Sequence, residues 1–468
     1  MSVQSHDSLE ADITNSMQHG VDLKTDTLII GAGACGLIAA LAARQAGQDV
    51  LVVEADAVPS GSTALSAGLI PAAGTKLQEQ SGIEDSAAQF AADIQAKALG
   101  ENAQEIVLAL AQGASEVIHW LMDEHGLPFS LVHDFDYPGH SVRRMHGLPS
   151  RSGRELIDAL RARCEELHVD IICHRRAVDL HHQGLVIEGI TVADPNGKQE
   201  SIACNKLILA CNGFGGNRTM VEQYMPQISQ GVWFGHDGNQ GDAVCWGELM
   251  GASIKHLGAY QGHGNVAHPH GILISWAVIT QGGIQVNLQG NRFWDESQGY
   301  SEAAGAVLSQ PGSAAITVFD ERIATVARQF EDFKQAETAG AVKVCATLEE
   351  LANTFSLPVQ TLRTSIANIK VGTEDQFGRY FGNQTLSAPY YGVRVTGALF
   401  HTQGGLEVDK EGRVMHVNGQ SFANLFAGGG AACGVSGKSD SGYLSGNGLL
   451  SAVVLGYRAG ISSTFQSR

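Results

Sequence analysis

The chain has 468 residues, 44% of them apolar, with a mean hydropathy of −0.02, enough length and apolar content for two or three domains around large cores. A formal charge of −18 excludes nucleic acid and anionic membrane surfaces as partners, because both repel it. The longest apolar runs, such as 271–279, fall short of the ~18 residues that cross a bilayer, so no membrane span is expected. Residues 1–24 are polar and acidic, without the basic and apolar halves of a secretory signal, and predict a flexible leader and a cytoplasmic location. The eight cysteines form no CxxC pair and predict reduced thiols rather than disulfides, haem or iron–sulfur ligands.

The first element is the strand Asp26 to Ile30, which runs into Gly31-Ala-Gly33-Ala-Cys-Gly36. An apolar helical run follows from Leu37 to Ala43, then a second strand, Val50 to Val53, and the acid Glu54. In this order, Gly31 suits a tight turn, Gly33 allows backbone to approach a pyrophosphate, and Gly36 permits close helix–strand packing. The helix N-terminus faces the anion, and Glu54 stands where a carboxylate holds a ribose hydroxyl. The unit predicts a site for FAD or NAD(P).

After a small-residue loop from Pro59 to Gly68, helical patterns run near 84–99, 103–125 and 153–168. Strand patterns at 170–173, 184–193 and 201–204 flank an Asn196-Gly197 turn and read as a hairpin, and 206–216 is another apolar strand ending in glycines. From 263 to 400 the texture changes to a His-rich segment, short strands, and helical patterns at 321–338, 347–355 and 357–369. A glycine-rich stretch, 401–448, leads to a final helix from Leu449 to Ala459. The expected architecture is α/β: a doubly wound FAD-binding domain of the glutathione-reductase type from 25–262 and 401–468, with an inserted α+β cap at 263–400.

The order of Gly31-x-Gly-x-x-Gly36, Ser66-Ala-Gly68, Leu209-Ala-Cys-Asn-Gly-Phe-Gly215, Gly241-Asp242, Val286 to Phe293, His401-Thr-Gln-Gly-Gly405 and Phe426-Ala-Gly-Gly-Gly430 resembles one flavoprotein family. It contains soluble fumarate reductase, the succinate dehydrogenase flavoprotein subunit, urocanate reductase and 3-ketosteroid Δ1-dehydrogenase. The resemblance implies FAD as cofactor, with substrate held between the FAD domain and a mobile cap. It carries cofactor contacts onto Gly31, Gly33, Ala34, Cys35, Gly36 and Glu54, and onto Ser62, Thr63, Ser66, Ala67 and Gly68. It extends them to Val178, Ala210, Asn212, Gly213 and Asp242, and to His401, Gly429, Gly430, Gly446, Asn447 and Leu449. Ser62 takes the place of the histidine that bonds the flavin in membrane-bound members, so non-covalent FAD is expected. No second strand–GxGxxG–helix unit is present for NAD(P), which predicts an external electron donor or acceptor. No metal site is expected: His263, His268 and His270 have no acid or cysteine to complete a ligand set.

Fumarate reductase-like members clamp a dicarboxylate with two arginines and a histidine, assisted by a threonine–glutamate pair. At the corresponding positions this chain has Ser275 and Trp276 for the pair, Tyr300 and Tyr443 for the arginines, and His401 for the histidine. A buried carboxylate without its arginine is an unpaired charge, which argues against a small dicarboxylate. The tyrosines resemble those of ketosteroid dehydrogenases, in which one takes a proton from carbon beside a ketone and the other hydrogen-bonds the ketone oxygen. The resemblance therefore implies an FAD-dependent CH–CH dehydrogenase for a 3-ketosteroid or cyclic ketone, acting in either direction. Tyr300 is then the base, Tyr443 the oxyanion donor with an amide of Asn447 or Gly448, and flavin N5 the hydride acceptor, with Tyr137 a candidate relay. Trp276 is read as a pocket wall. The alternative is an ene-reductase for an unsaturated monocarboxylate or other enoate, in which His401 and Arg143 or Arg144 hold the anion, although Arg143, Arg144 and His146 also suit structural roles. A third reading is a flavin-binding protein without substrate chemistry. The oligomeric state has no signature in the sequence.

Overall fold

The computed structural model describes residues 14–15, 20–133, 136–382 and 385–463. Most of the expected leader, 1–13 and 16–19, lies outside the described residues; Thr14 and Asn15 pair antiparallel with Gln183 and His182.

The βαβ unit forms where its sequence places it: β1 (Leu23–Ile30), α1 (Ala34–Gln45) and β2 (Val50–Val53). Leu28 and Ile29 are fully buried, as continuous apolar strands with both faces covered must be. β3 (Asp170–Ile172) extends the sheet beyond β2. β4 (Arg176–Gln183), which the strand patterns did not anticipate, and β5 (Val186–Ala193) lead to the long β6 (Gln199–Leu209). β5 and β6 form the expected hairpin, with Ala193 opposite Gln199. β6 merges two segments read separately, because its first half pairs with β5 while Leu207, Ile208 and Leu209 run parallel to Leu28, Ile29 and Ile30.

A second, mainly antiparallel sheet contains β7 (Tyr260–Ala267), β8 (Ile284–Asn287), β9 (Ala314–Asp320) and β10 (Tyr390–Thr402). It runs β7, β10, β9, β8, with Ile272–Leu273 on the outer edge of β7. Between β8 and β9 lies α2 (Tyr300–Leu308). The expected single helix at 321–338 is two, Glu321–Ala327 and α3 (Glu331–Thr338). Their apolar period is continuous through the buried Ile323, Ala327, Phe330 and Phe333, so the sequence conceals the turn between them.

The chain then returns to the first sheet. β11 (Ser421–Ala427) runs parallel to β6, and α4 (Asn447–Ile461) packs along α1. Cβ atoms at Gly456 and Gly460 would stand 2.5 Å from the carbonyl oxygens of Cys35 and Ala39. Only glycine at those two positions, one turn apart, allows the backbones this close. No helix among the described residues is long and apolar enough to cross a membrane.

Candidate active site

One cleft, enclosing about 1980 Å³ including its open mouth, runs between the two sheets. Its first wall is mostly backbone. Gly31 has φ +100°, and a Cβ there would stand 2.6 Å from the Ala210 carbonyl oxygen. Gly36 meets the Gly31 carbonyl even more closely, at 1.9 Å from an ideal Cβ, so it serves packing and does not itself line the cleft. Gly33 is open, with nothing nearer than 3.9 Å, and it begins α1 with no side-chain cap. α4 likewise begins at Gly446 without a side-chain cap, so two long helices turn uncapped N-termini toward one cleft. Glu54 accepts the Ala32 and Asp56 N–H groups, at 2.7 and 2.9 Å, which fixes its carboxylate on the cleft rim. Such a wall fits a dinucleotide: two helix N-termini for a pyrophosphate, and a held acid for a ribose.

The loop Ser62 to Gly68 lines the next stretch. The Ser62 hydroxyl accepts Asn239 Nδ2 at 2.8 Å and the His236 N–H at 3.1 Å, and Thr63 Oγ1 accepts the Ala34 N–H at 3.3 Å. Ala34, Cys35, Ala210, Asn212, Asp242, Gly429, Gly430 and Leu449 also line the cleft. Besides Gly36, three expected contacts do not. Val178 is 40% exposed, because successive strand residues face opposite ways and its neighbour Ala177 takes the inner position. Gly213 leaves room for Thr402 Oγ1, which would lie 1.8 Å from a Cβ. Asn447 is fully buried behind the wall and donates to Ser436 Oγ at 3.2 Å.

The second wall is made of rings. Tyr300, at the start of α2, stands 6.0 Å from Tyr443 between ring centroids, and Tyr443 stands 5.7 Å from His401. The two phenols influence each other's titration, and Ser445 and the Gly446 amide act on the Tyr300 oxygen to favour its ionised form. Tyr443 Oη accepts the Gly448 N–H at 3.4 Å. Burial pushes the Tyr300 phenol up to about 12 and raises Tyr443 and Tyr137 as well, so all three rest as neutral phenols. Tyr137 lines the same cleft. Trp276, 2% exposed, lies edge-on to Tyr300 at 6.2 Å.

His401 lies opposite Gln261 in the β7–β10 ladder. Asn447 donates to Ser436, Ser436 donates to Gln403 Oε1 at 2.6 Å, and the Gln403 amide nitrogen lies 3.0 Å from His401 Nδ1. Nδ1 also lies 3.0 Å from the Thr402 carbonyl oxygen, so a donor and an acceptor meet the same ring nitrogen. Nε2 faces Gly448, where a Cβ would approach it to 2.4 Å. Burial lowers the His401 pKa and keeps the ring neutral.

Sequence reasoning weighed His263 as a metal ligand and did not place it in this wall of rings. It stacks between Tyr300 and Phe400, at 4.9 and 5.1 Å, and its Nδ1 accepts the Asn265 N–H at 3.1 Å. Burial lowers its pKa to about 3. His268 and His270 are exposed in the turn beyond β7, and no cluster of three metal-ligating side chains exists among the described residues. Alternation along β7 was the available signal: Gln261 and His263 share a face two residues apart. Arg144 is fully buried and held by Asp85 and Asp93, at 2.9 and 2.6 Å, and Arg143 pairs with Asp136 at 2.7 Å. Neither arginine lines the cleft, and His146 is buried against Thr75.

The FAD binding domain family matches residues 26–449. A probable fumarate reductase, Ifc3, of Shewanella frigidimarina is 30% identical over 96% of this chain and 76% of its own. The open conformation of a flavocytochrome c3 fumarate reductase superposes with a TM-score of 0.79 at 29% identity, covering 94% of this chain and 78% of that one. The 3-ketosteroid-Δ4-(5α)-dehydrogenase of Rhodococcus jostii RHA1 shares the fold, with a TM-score of 0.73 at 23% identity over 96% of this chain and 99% of its own. The uncapped helix ends, the held acid and these matches agree: the chain belongs to the FAD binding domain family and is an FAD-dependent oxidoreductase acting on carbon–carbon bonds.

Proposed function

We propose that the enzyme forms or reduces a carbon–carbon double bond conjugated to a ketone, on a cyclic or steroid-like substrate, with FAD held non-covalently. The observation that carries this reading is the buried Tyr300–Tyr443 pair, set in a wall of rings where fumarate reductases place arginines. The ketosteroid enzyme, whose structure holds 4-androstene-3,17-dione, supports the fold alone; the tyrosines support the chemistry.

FAD, when bound, supplies the two-electron oxidation or reduction. The residues of the chain handle the proton and the developing oxyanion. Tyr443 O–H, its oxygen held by the Gly448 amide and with His401 beside it, is the donor for an enolate oxygen. Tyr300, kept neutral by burial, gives its phenolic proton to the carbon beside the carbonyl in the reductive direction. In the oxidative direction its phenolate takes that proton, with Ser445 and the Gly446 amide stabilising the charge. Tyr137 is the proposed relay from Tyr300. Ser62, already accepting from His236 and Asn239, supports a flavin without a covalent link.

The enoate reading needs an arginine free to meet a carboxylate, and both candidates are engaged outside the cleft. Anaerobic mixing of the oxidised holoenzyme with a 3-ketosteroid and a cyclohexanone-type ketone is expected to bleach the flavin band with at least one. The matching enones are expected to reoxidise the reduced flavin. No response to any ketone or enone, with reoxidation by an enoate, overturns the proposal.

A further inference from the structure

Five charged residues line the first wall, and each has a partner. Glu54 holds two backbone amides, and His236 Nε2 meets Asp56 at 2.7 Å. Arg175 pairs with Glu200 at 3.2 Å, and Arg176 reaches both oxygens of Asp242, at 3.0 and 2.8 Å. The opposite wall differs. Of the lining residues carried by the second sheet and its helices, Asp332 alone bears a formal charge. It sits in the first turn of α3 beside Phe330, which is 4% exposed, and α3 packs on the strand that brings Leu273 to the cleft. Among the described residues no cation or hydrogen-bond donor meets its carboxylate, and the only charge acting on it is that of Glu331.

A half-buried carboxylate without a partner in an apolar wall is costly unless a ligand supplies one. The first turn of a helix favours an acid, but burial outweighs that here and raises the Asp332 pKa to about 6. At neutral pH most of the group is still ionised, so the substrate side of the cleft carries a negative charge.

We propose that Asp332 is a specificity-determining residue that recognises a cationic group, a protonated amine, on the substrate away from the reacting enone, and that it turns away carboxylates. This rests on the ketone reading above and names a substrate class within it.

The test uses the FAD-loaded enzyme, reduced, with three cyclic enones of one skeleton bearing an ammonium, a methyl or a carboxylate group. With the native enzyme, kcat/KM for flavin reoxidation is expected to fall in that order, with at least about a tenfold span between ammonium and carboxylate. Asp332→Asn and Asp332→Ser, checked for unchanged flavin content, are expected to bring the three within about threefold by slowing the ammonium compound and improving the carboxylate. Either no charge order in the native enzyme or an order that survives both substitutions overturns the inference while leaving the ketone reading intact. Failure of all three enones to reoxidise the flavin removes the ketone reading and this inference with it.

Discussion

The wall of the cleft formed by Gly31 to Gly36, Glu54 and the Ser62–Gly68 loop presents backbone, whereas the wall from His263 through Tyr300 to Tyr443 presents rings. In the first, tolerance is set by absent side chains: a Cβ at Gly31 or Gly36 collides with a carbonyl. The second presents neutral side chains: phenols, which burial moves still further from ionising, and imidazoles, which burial keeps from taking up a proton. A cofactor common to many enzymes is met by geometry that tolerates no addition. The ring wall keeps the histidine of the fumarate reductase pattern, His401, and has Tyr300 and Tyr443 at the positions that the resemblance gives to its arginines.

The largest effect expected is on the backbone wall. Gly36→Ala places a methyl 1.9 Å from the Gly31 carbonyl, which must shift the turn. Purified protein is expected to hold less than about a tenth of the native flavin, read from the visible band; full occupancy would show that the turn can yield.

Tyr300→Phe comes next, with kcat expected to fall by about 10²–10⁴ at unchanged flavin content. Its sign with pH is also fixed. A phenol pushed up to about 12 stays protonated, so the native reductive rate is expected to be flat from about pH 6 to 9 while the oxidative rate rises with pH. A reductive rate that fell over that range would assign the proton to another group. Tyr443→Phe keeps the ring but loses one oxyanion donor, and about 10² in kcat is expected in both directions. A loss confined to KM would make Tyr443 a simple binding contact.

The smallest effect concerns stability rather than rate. His263 has a folded pKa of about 3, and His140 and His146 of about 4, all below the ordinary imidazole value because of burial. Their contribution is complete above about pH 6.5 and is lost as pH falls toward those folded values, since the unfolded chain binds the protons first. The urea midpoint is expected to drop between pH 7 and about pH 4.5, and His263→Phe to lessen that drop. An unchanged acid dependence in the variant would place the loss elsewhere.

Much of the first wall was legible because its information is local. Gly31, Gly33, Gly36 and Glu54 are consecutive elements of one βαβ unit, so spacing alone orders them. Tyr300, Tyr443 and His401 were found by position within a family pattern, since nothing near them in the chain marks them as neighbours. His263 and Asp332 were passed over. One looked like part of a His-rich segment, and the other sat inside a helix that read as continuous from 321 to 338.

The sequence by itself determined a dinucleotide site and the strand–helix–strand unit that carries it, because glycine spacing and apolar runs act within a few residues of themselves. Through the family resemblance it also put Tyr300 and Tyr443 at the positions of the clamp arginines. Only the tertiary structure decided which rings meet, that Arg143 and Arg144 are spent on Asp136, Asp85 and Asp93, and that Asp332 stands alone on its wall. Those outcomes depend on burial and on partners far apart in sequence. Charge pairing and desolvation are properties of the packed chain, not of any segment of it.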